Sequence, residues 1–138
     1  MKVEHMEITL STKHRRELIN ITEVVEKFVR SVNIKNGICL VFVPHATAAL
    51  LCNEDEPNIR EDYLKLFERL VPEEGEYSHN KIDNNADSHL LASLLKSFLV
   101  FPIKDYKLVR GTWQEIFLVE LDGPRDKRRV IVLCIGVQ

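Results

Sequence analysis

The sequence predicts an α+β fold, a compact two-sheet β-sandwich with about three helices in a single domain over residues 1–138. Three observations lead there. Segments with strand periodicity occupy both ends of the chain, and segments with helical periodicity occupy the middle. Two strand segments, of which ICLVFV at 38–43 is the clearer, are apolar on both faces, so a second sheet or an oligomer partner has to cover them. No repeat, low-complexity stretch or linker interrupts the 138 residues, a length that buries a core without staples.

MEITLS at 6–11 alternates apolar and polar side chains and reads as a strand. ITEVVEKFVRSV at 21–32 puts Ile21, Val24, Val25, Phe28, Val29 and Val32 at helical spacing, with Gly37 in the stop region. ICLVFV follows as a covered strand, and ATAALLC continues as another after a corner at Pro44–His45. Asp55 is the expected N-cap of the second helix, with Pro57 in its first turn. The core face of that helix is Ile59, Tyr63, Leu66, Phe67 and Leu70, and it ends before Pro72. EEGEYSHNKIDNN is a polar loop. ADSHLLASLLKSF is a third helix, capped by Asn84 or Asn85 and burying Leu91, Leu94, Leu95 and Phe98. The last third is β: FLVFPI, a short piece near Leu108, TWQEIFLVEL and RRVIVLCIGV, the last two joined by a hairpin turn DGPRDK.

Composition narrows the function. A net charge of −2 gives no basic field for holding nucleic acid. The longest apolar runs reach seven or eight residues, too short for a membrane helix. MKVEHMEITL carries charges through its apolar residues, unlike a signal peptide or lipidation site. Cys39, Cys52 and Cys134 each sit among apolar neighbours, which predicts reduced, buried thiols in a cytoplasmic protein. No CxxC pair, P-loop, GxGxxG or GxSxG motif is present.

Several polar residues fall outside the regular patterns. His45 follows a strand-ending proline, His79 lies in the polar loop, and His89 is in the first turns of a helix but off its leucine stripe. Three imidazoles from three segments can ligate a divalent transition metal; equally, each can be a capping or surface residue. Alternation through TWQEIFLVEL puts Gln114, Ile116, Leu118 and Glu120 on one face and Trp113, Phe117, Val119 and Leu121 on the other. A glutamate in that company needs a cationic or metal partner, unless the strand is an edge strand with a wet outer face. Arg125 follows Gly123 and Pro124, in a turn that suits a phosphate or carboxylate ligand or else carries solvated charge. Asp62 stands at the border of its helix's apolar face, as a surface acid or one pointing toward a site.

PHATAALLCNEDEP, YSHNKIDNNADSHLLASLL and LVRGTWQEIFLVELDGPRDKRRVIV occur in that order, and NADSH, GTWQ and DGPR together in one short chain form a specific combination. The chain resembles the YjbQ family, also called the secondary thiamine-phosphate synthase family, from about residue 3 to its end. The resemblance implies a YjbQ-like α+β sandwich that forms homotrimers, with a weak thiamine-phosphate synthase activity. That reaction joins an aminopyrimidine methyl diphosphate to a thiazole phosphate, so the expected partner is a small phosphorylated molecule. It further implies a divalent metal on His45, His79 and His89, zinc or another transition metal by ligand type, with magnesium suited to the diphosphate. Glu54, Asn85, Gln114, Glu120 and Arg125 become the catalytic candidates, and Thr47, Asn53, Trp113 and Arg125 the substrate-binding ones. Trp113 is as suited to the core by its alternation as to stacking on a ring. Lys96, Tyr106 and Arg110 stand where the family usually has glycine. Alternative readings are a metal-dependent hydrolase with Glu120 or Glu54 as general base, a phosphate-ligand-binding protein, or a non-catalytic trimeric binding module.

Overall fold

In the computed structural model, which covers Met1–Gln138, eight strands form two antiparallel sheets. The outer sheet runs β1 (Lys2–Leu10), β8 (Arg128–Val137), β3 (Asn36–Phe42), β5 (Phe98–Lys104) and β6 (Lys107–Leu108). The inner sheet is β2 (Glu17–Asn20), β7 (Glu115–Glu120) and β4 (Ala48–Asn53). The helices are α1 (Thr22–Ser31), α2 (Pro57–Leu70) and α3 (Ala86–Leu94), with a 3-10 turn at Ser78–Lys81 between the last two.

Strand alternation explains the layering. Cys39 and Val41 of β3, Phe101 and Ile103 of β5, and Val130, Val132 and Cys134 of β8 point inward. They meet Ile116 and Leu118 of β7, Leu50 of β4 and the Val25–Val29 stripe of α1. The opposite face of the inner sheet, with Phe117, Val119 and Leu121, packs on Phe67 of α2 and Leu91 of α3. Each such side chain contributes about 1.5–3 kcal/mol by leaving water. The strand covered on both faces is therefore β7 rather than β3. The outward Ile38 and Phe42 of β3 are exposed, as are Phe98 and Val100 on β5 and Val137 on β8.

Several local expectations are corrected by backbone chemistry. Glu56, not Asp55, caps α2: its carboxylate accepts from the Asn58 and Ile59 amides, with Pro57 opening the helix, and those amides hold its pKa below the usual value. Asp55 instead accepts from Asn20 and Arg60. Leu66 and Leu70 are exposed, because Phe67 and Tyr63 fill the contact with the inner sheet. α3 stops at Leu94, so Leu94 is exposed and Phe98 belongs to β5. Its buried face is Ala86, Asp87, Ser88 and Leu91. β2 was not signalled by any periodicity. Thr112–Gln114 form a turn, so β7 starts at Glu115 and lies at the centre of its sheet, not at an edge. DGPRDK is no hairpin, since β7 and β8 belong to different sheets and the segment crosses between them. Tyr106 adopts the left-handed φ of 69° that a glycine would take more easily, in the two-residue turn between β5 and β6. Cys39 and Cys134 are buried free thiols facing each other across β3 and β8, while Cys52 is only half-buried. The neighbouring Cys134 thiol and burial together push the Cys39 pKa far above the thiol range.

The crossing is pinned by one buried ion pair. Glu120 ends β7 with a side chain 0% exposed, and Arg128 opens β8 with a side chain 6% exposed. Glu120 accepts from Arg128 Nε at 2.9 Å, Thr12 Oγ1 at 2.7 Å and the Leu121 and Asp122 amides at 3.0 Å. Burial alone would raise its pKa, but Arg128, Thr12 and the Asp122 amide outweigh that and hold it below the usual glutamate value. Arg128 also donates to the Thr47 hydroxyl at 2.9 Å and its carbonyl at 3.1 Å. Glu120→Ala leaves that guanidinium buried and unpaired, so denaturant unfolding is expected to show a loss of about 3–5 kcal/mol.

Candidate functional site

The crossing segment and the start of α3 meet at one end of the inner sheet. Gly123–Pro124 is a cis peptide bond, and a Cβ on Gly123 would collide with the His14 carbonyl of the segment passing beneath it. Arg125 is held at this turn by its Nε donating to the Asp122 carbonyl at 2.9 Å and its Nη2 to Asp122 Oδ2 at 2.8 Å. Half of the Arg125 side chain is open to solvent.

Hydrogen bonds lead from Arg125 to His79 with a fixed sense. Asp122 can only accept, so Asn85 must turn its amide nitrogen toward it, at 2.9 Å. The Asn85 carbonyl oxygen then faces His79 Nε2 at 3.1 Å, which requires that nitrogen to carry the proton. A neutral His79 therefore keeps its lone pair on Nδ1. Its ring meets His89 edge to face with centroids 5.0 Å apart. Both imidazoles line a hollow of about 460 Å³, walled otherwise by Glu76, Tyr77, Ser78, Ala86 and Leu90. His89 also borders a second hollow of about 250 Å³ shared with His45.

His45 is set by a different bond. Its Nε2 accepts the Arg129 backbone amide at 2.9 Å, which assigns its neutral proton to Nδ1. Partial burial, followed by the nearby Arg128 and Arg129 charges, lowers its pKa against a smaller opposing effect of Glu120. The expected three-histidine metal centre does not fit this arrangement in one protomer. No three His, Cys, Asp or Glu side chains converge on a point, and the His45 Nε2 lone pair is already engaged.

The other candidates divide into two groups. Thr47 lies at the same end but is tied to Arg128, and Glu120 has its oxygens saturated, so neither is open to a ligand. Asn53, Glu54, Trp113 and Gln114 lie at the opposite end of the sheet. Ala48 pairs with Glu120 and Asn53 with Glu115, a span of about 17 Å along the strands. There Gln114 Oε1 accepts the Gly111 amide at 2.7 Å, Asn53 accepts the Glu54 amide, and the Glu54 carbonyl accepts from Tyr63. Trp113 is 71% exposed, neither core nor beside the imidazoles. Asp62 is exposed on α2.

Sequence reasoning passed over Thr12, Arg15 and Arg16, which contact the site from the segment between β1 and β2. The visible signal is two arginines within the charged run KHRRE, which a purely solvated loop and a pair of buried counter-ions share. Asp87, the acid those arginines bind, is fully buried in the first turn of α3.

Because the folded state lowers the His45 pKa, it favours the neutral ring. That contribution is complete above the ordinary value of 6.5 and is lost as pH falls from there through the lowered folded value. Thermal melts between about pH 8 and about pH 5 should therefore show an acid-side loss of stability that His45→Gln diminishes.

Comparison with known proteins agrees with the resemblance seen in the sequence. Residues 6–137 match the family described as UPF0047 protein YjbQ-like. A UPF0047 protein of Archaeoglobus fulgidus is 49% identical over 130 residues, covering 94% of this chain and 100% of the relative. YugU of Bacillus subtilis, also a UPF0047 protein, is 32% identical over 121 residues, covering 87% of this chain and 91% of its own. Among solved structures, a YbjQ-like protein of unknown function from Sulfolobus solfataricus superposes with a TM-score of 0.96 at 48% identity, covering 98% of each chain. A YjbQ/UPF0047 protein of Clostridium acetobutylicum superposes with a TM-score of 0.88 at 37% identity, covering 94% of this chain and 99% of that one. By sequence over nearly its whole length and by fold, the chain belongs to the YjbQ/UPF0047 family.

Proposed function

We propose that this chain binds a small phosphorylated molecule at the Arg125–Asp122–Asn85–His79 site and joins an aminopyrimidine methyl diphosphate to a thiazole phosphate there. The observation that carries the reading is the fixed chain from a half-open guanidinium to an imidazole at the wall of a partly apolar hollow. In that reaction the methylene–oxygen bond breaks, its electron pair leaves with diphosphate, and the thiazole nitrogen bonds to the methylene carbon. No proton has to move, so the site must neutralise the departing charge and hold the two partners in line. Arg125 supplies a permanent cation that Asp122 orients, and Tyr77 and Leu90 offer a surface for a heteroaromatic ring.

The free Nδ1 lone pair of His79 favours a second reading, hydrolysis of a phosphate or other ester, with His79 in place of Glu120 or Glu54 as the general base. The homotrimer expectation enters here too. Ile38, Phe42, Phe98 and Val100 make a contiguous exposed apolar face on β3 and β5, as expected of a surface covered by further copies.

Arg125→Gln is expected to lower kcat/KM for the joining of the two precursors by about tenfold to about a hundredfold, the worth of one charge-assisted contact. Turnover of an ester panel without joining activity would instead support hydrolysis. Val100→Glu should shift the mass measured by light scattering from trimer to monomer; an unchanged mass would remove this face from the interface.

A further inference from the structure

We propose that Arg15 is a positioning residue of this site, holding the crossing turn and α3 at the separation that sets the His79 proton. The inference rests on the ligand reading above only for its effect on phosphate binding. Arg15 belongs to a strap, Ser11–Glu17, that runs under the site. Thr12 exchanges backbone and side-chain bonds with Arg125, through its amide to the Arg125 carbonyl at 2.8 Å and its hydroxyl accepting the Arg125 amide at 2.8 Å. The Gly123 amide donates to the Arg15 carbonyl at 3.0 Å. The strap backbone is thus fastened to the turn that presents Arg125.

The Arg15 side chain reaches the other half of the site. Its Nη2 donates to Asp87 Oδ1 at 2.8 Å, to the Asn84 carbonyl at 3.2 Å and to the Ser88 hydroxyl at 3.4 Å, all at the start of α3. Its Nη1 lies 3.6 Å from Asp122 Oδ1. One guanidinium therefore spans two carboxylates, one on the helix that carries His89 and one on the turn that carries Arg125. Its Nε is buried without a partner, so the grip on the two carboxylates rests on the terminal nitrogens. Arg16 takes the second Asp87 oxygen at 3.2 Å but reaches Glu68, Glu73 and the Val71 carbonyl rather than the turn. The two arginines consequently divide their work: Arg16 anchors α3 to the end of α2, and Arg15 anchors it to Asp122.

The link to chemistry runs through Asn85. Asp122 selects the Asn85 amide orientation, and Asn85 selects the His79 tautomer. If Arg15 no longer fixes Asp122 against α3, the Asn85 amide loses its single orientation and the His79 lone pair divides between Nδ1 and Nε2. A lysine keeps the charge but cannot span two carboxylates with a planar fork, so it restores only part of the geometry.

The test uses the full chain labelled with 15N-histidine. At one fixed pH, the imidazole 15N shifts of the parent protein should show His79 as the Nε2-protonated tautomer. Arg15→Gln should show a mixture, Arg15→Lys an intermediate, and Arg16→Gln the parent tautomer despite a lower Tm. The dissociation constant for inorganic phosphate should rise about tenfold in Arg15→Gln and less in Arg15→Lys. A parent tautomer and parent phosphate affinity in Arg15→Gln, with only Tm lowered, would show that Arg15 serves the fold alone and overturn the proposal. Phosphate binding that Arg125→Gln leaves intact would instead overturn the ligand reading, with the tautomer still deciding the role of Arg15. Should Arg15→Gln not fold, an Arg15→Lys protein with parent shifts and affinity overturns it equally.

Discussion

Everything at the end of this molecule that carries the candidate site depends on a carboxylate and a guanidinium that have left water together. Glu120 closes the central strand of the inner sheet, and Arg128 opens a central strand of the outer one. A pair with this burial is stable only if the remaining donors and acceptors are met as well. Here Thr12, Thr47 and two backbone amides meet them. Those partners come from the end of β1, the start of β4 and the crossing turn. The ion pair thus collects four chain segments at one point, and the exposed site residues are appended to what it collects.

Much of the fold could be read in the sequence because its strands keep their alternation and its long helices keep their spacing. What escaped did so for identifiable reasons. β2 has four residues next to a cluster of charges, too few to show a period. The turn DGPRDK has hairpin composition, and only the pairing of a buried glutamate before it with an arginine after it reveals a change of sheet. ICLVFV looks covered on both faces, yet one face lies open in the protomer. Residue type and order do not distinguish a second sheet from a second molecule as the cover.

The site was legible as a set of residues more than as a geometry. Asn85, His79, His89 and Arg125 do meet, with His45 at an adjoining hollow. Glu120 belongs beneath them as structure, since every oxygen is engaged. The GTWQ group is separated from them by the length of a strand, which spacing along the chain could not disclose. Most of all, the proton on His79 is set by Asp122 through Asn85, two residues away from the ring in the hydrogen-bonded order and far from it in sequence. Such an ordering depends on which groups can only accept, and it becomes visible once the partners are known.

The placement of Trp113 has a practical consequence for spectroscopy. It is the single tryptophan, it stands in a solvent-facing turn, and the imidazoles lie at the other end of the inner sheet. Its emission will report the polarity and quencher access of its own turn, and a molecule settling beside His79 will leave that signal nearly untouched. Tyr77, at the wall of the hollow with its hydroxyl donating to the Pro72 carbonyl at 2.7 Å, is the native chromophore whose surroundings such a molecule would change.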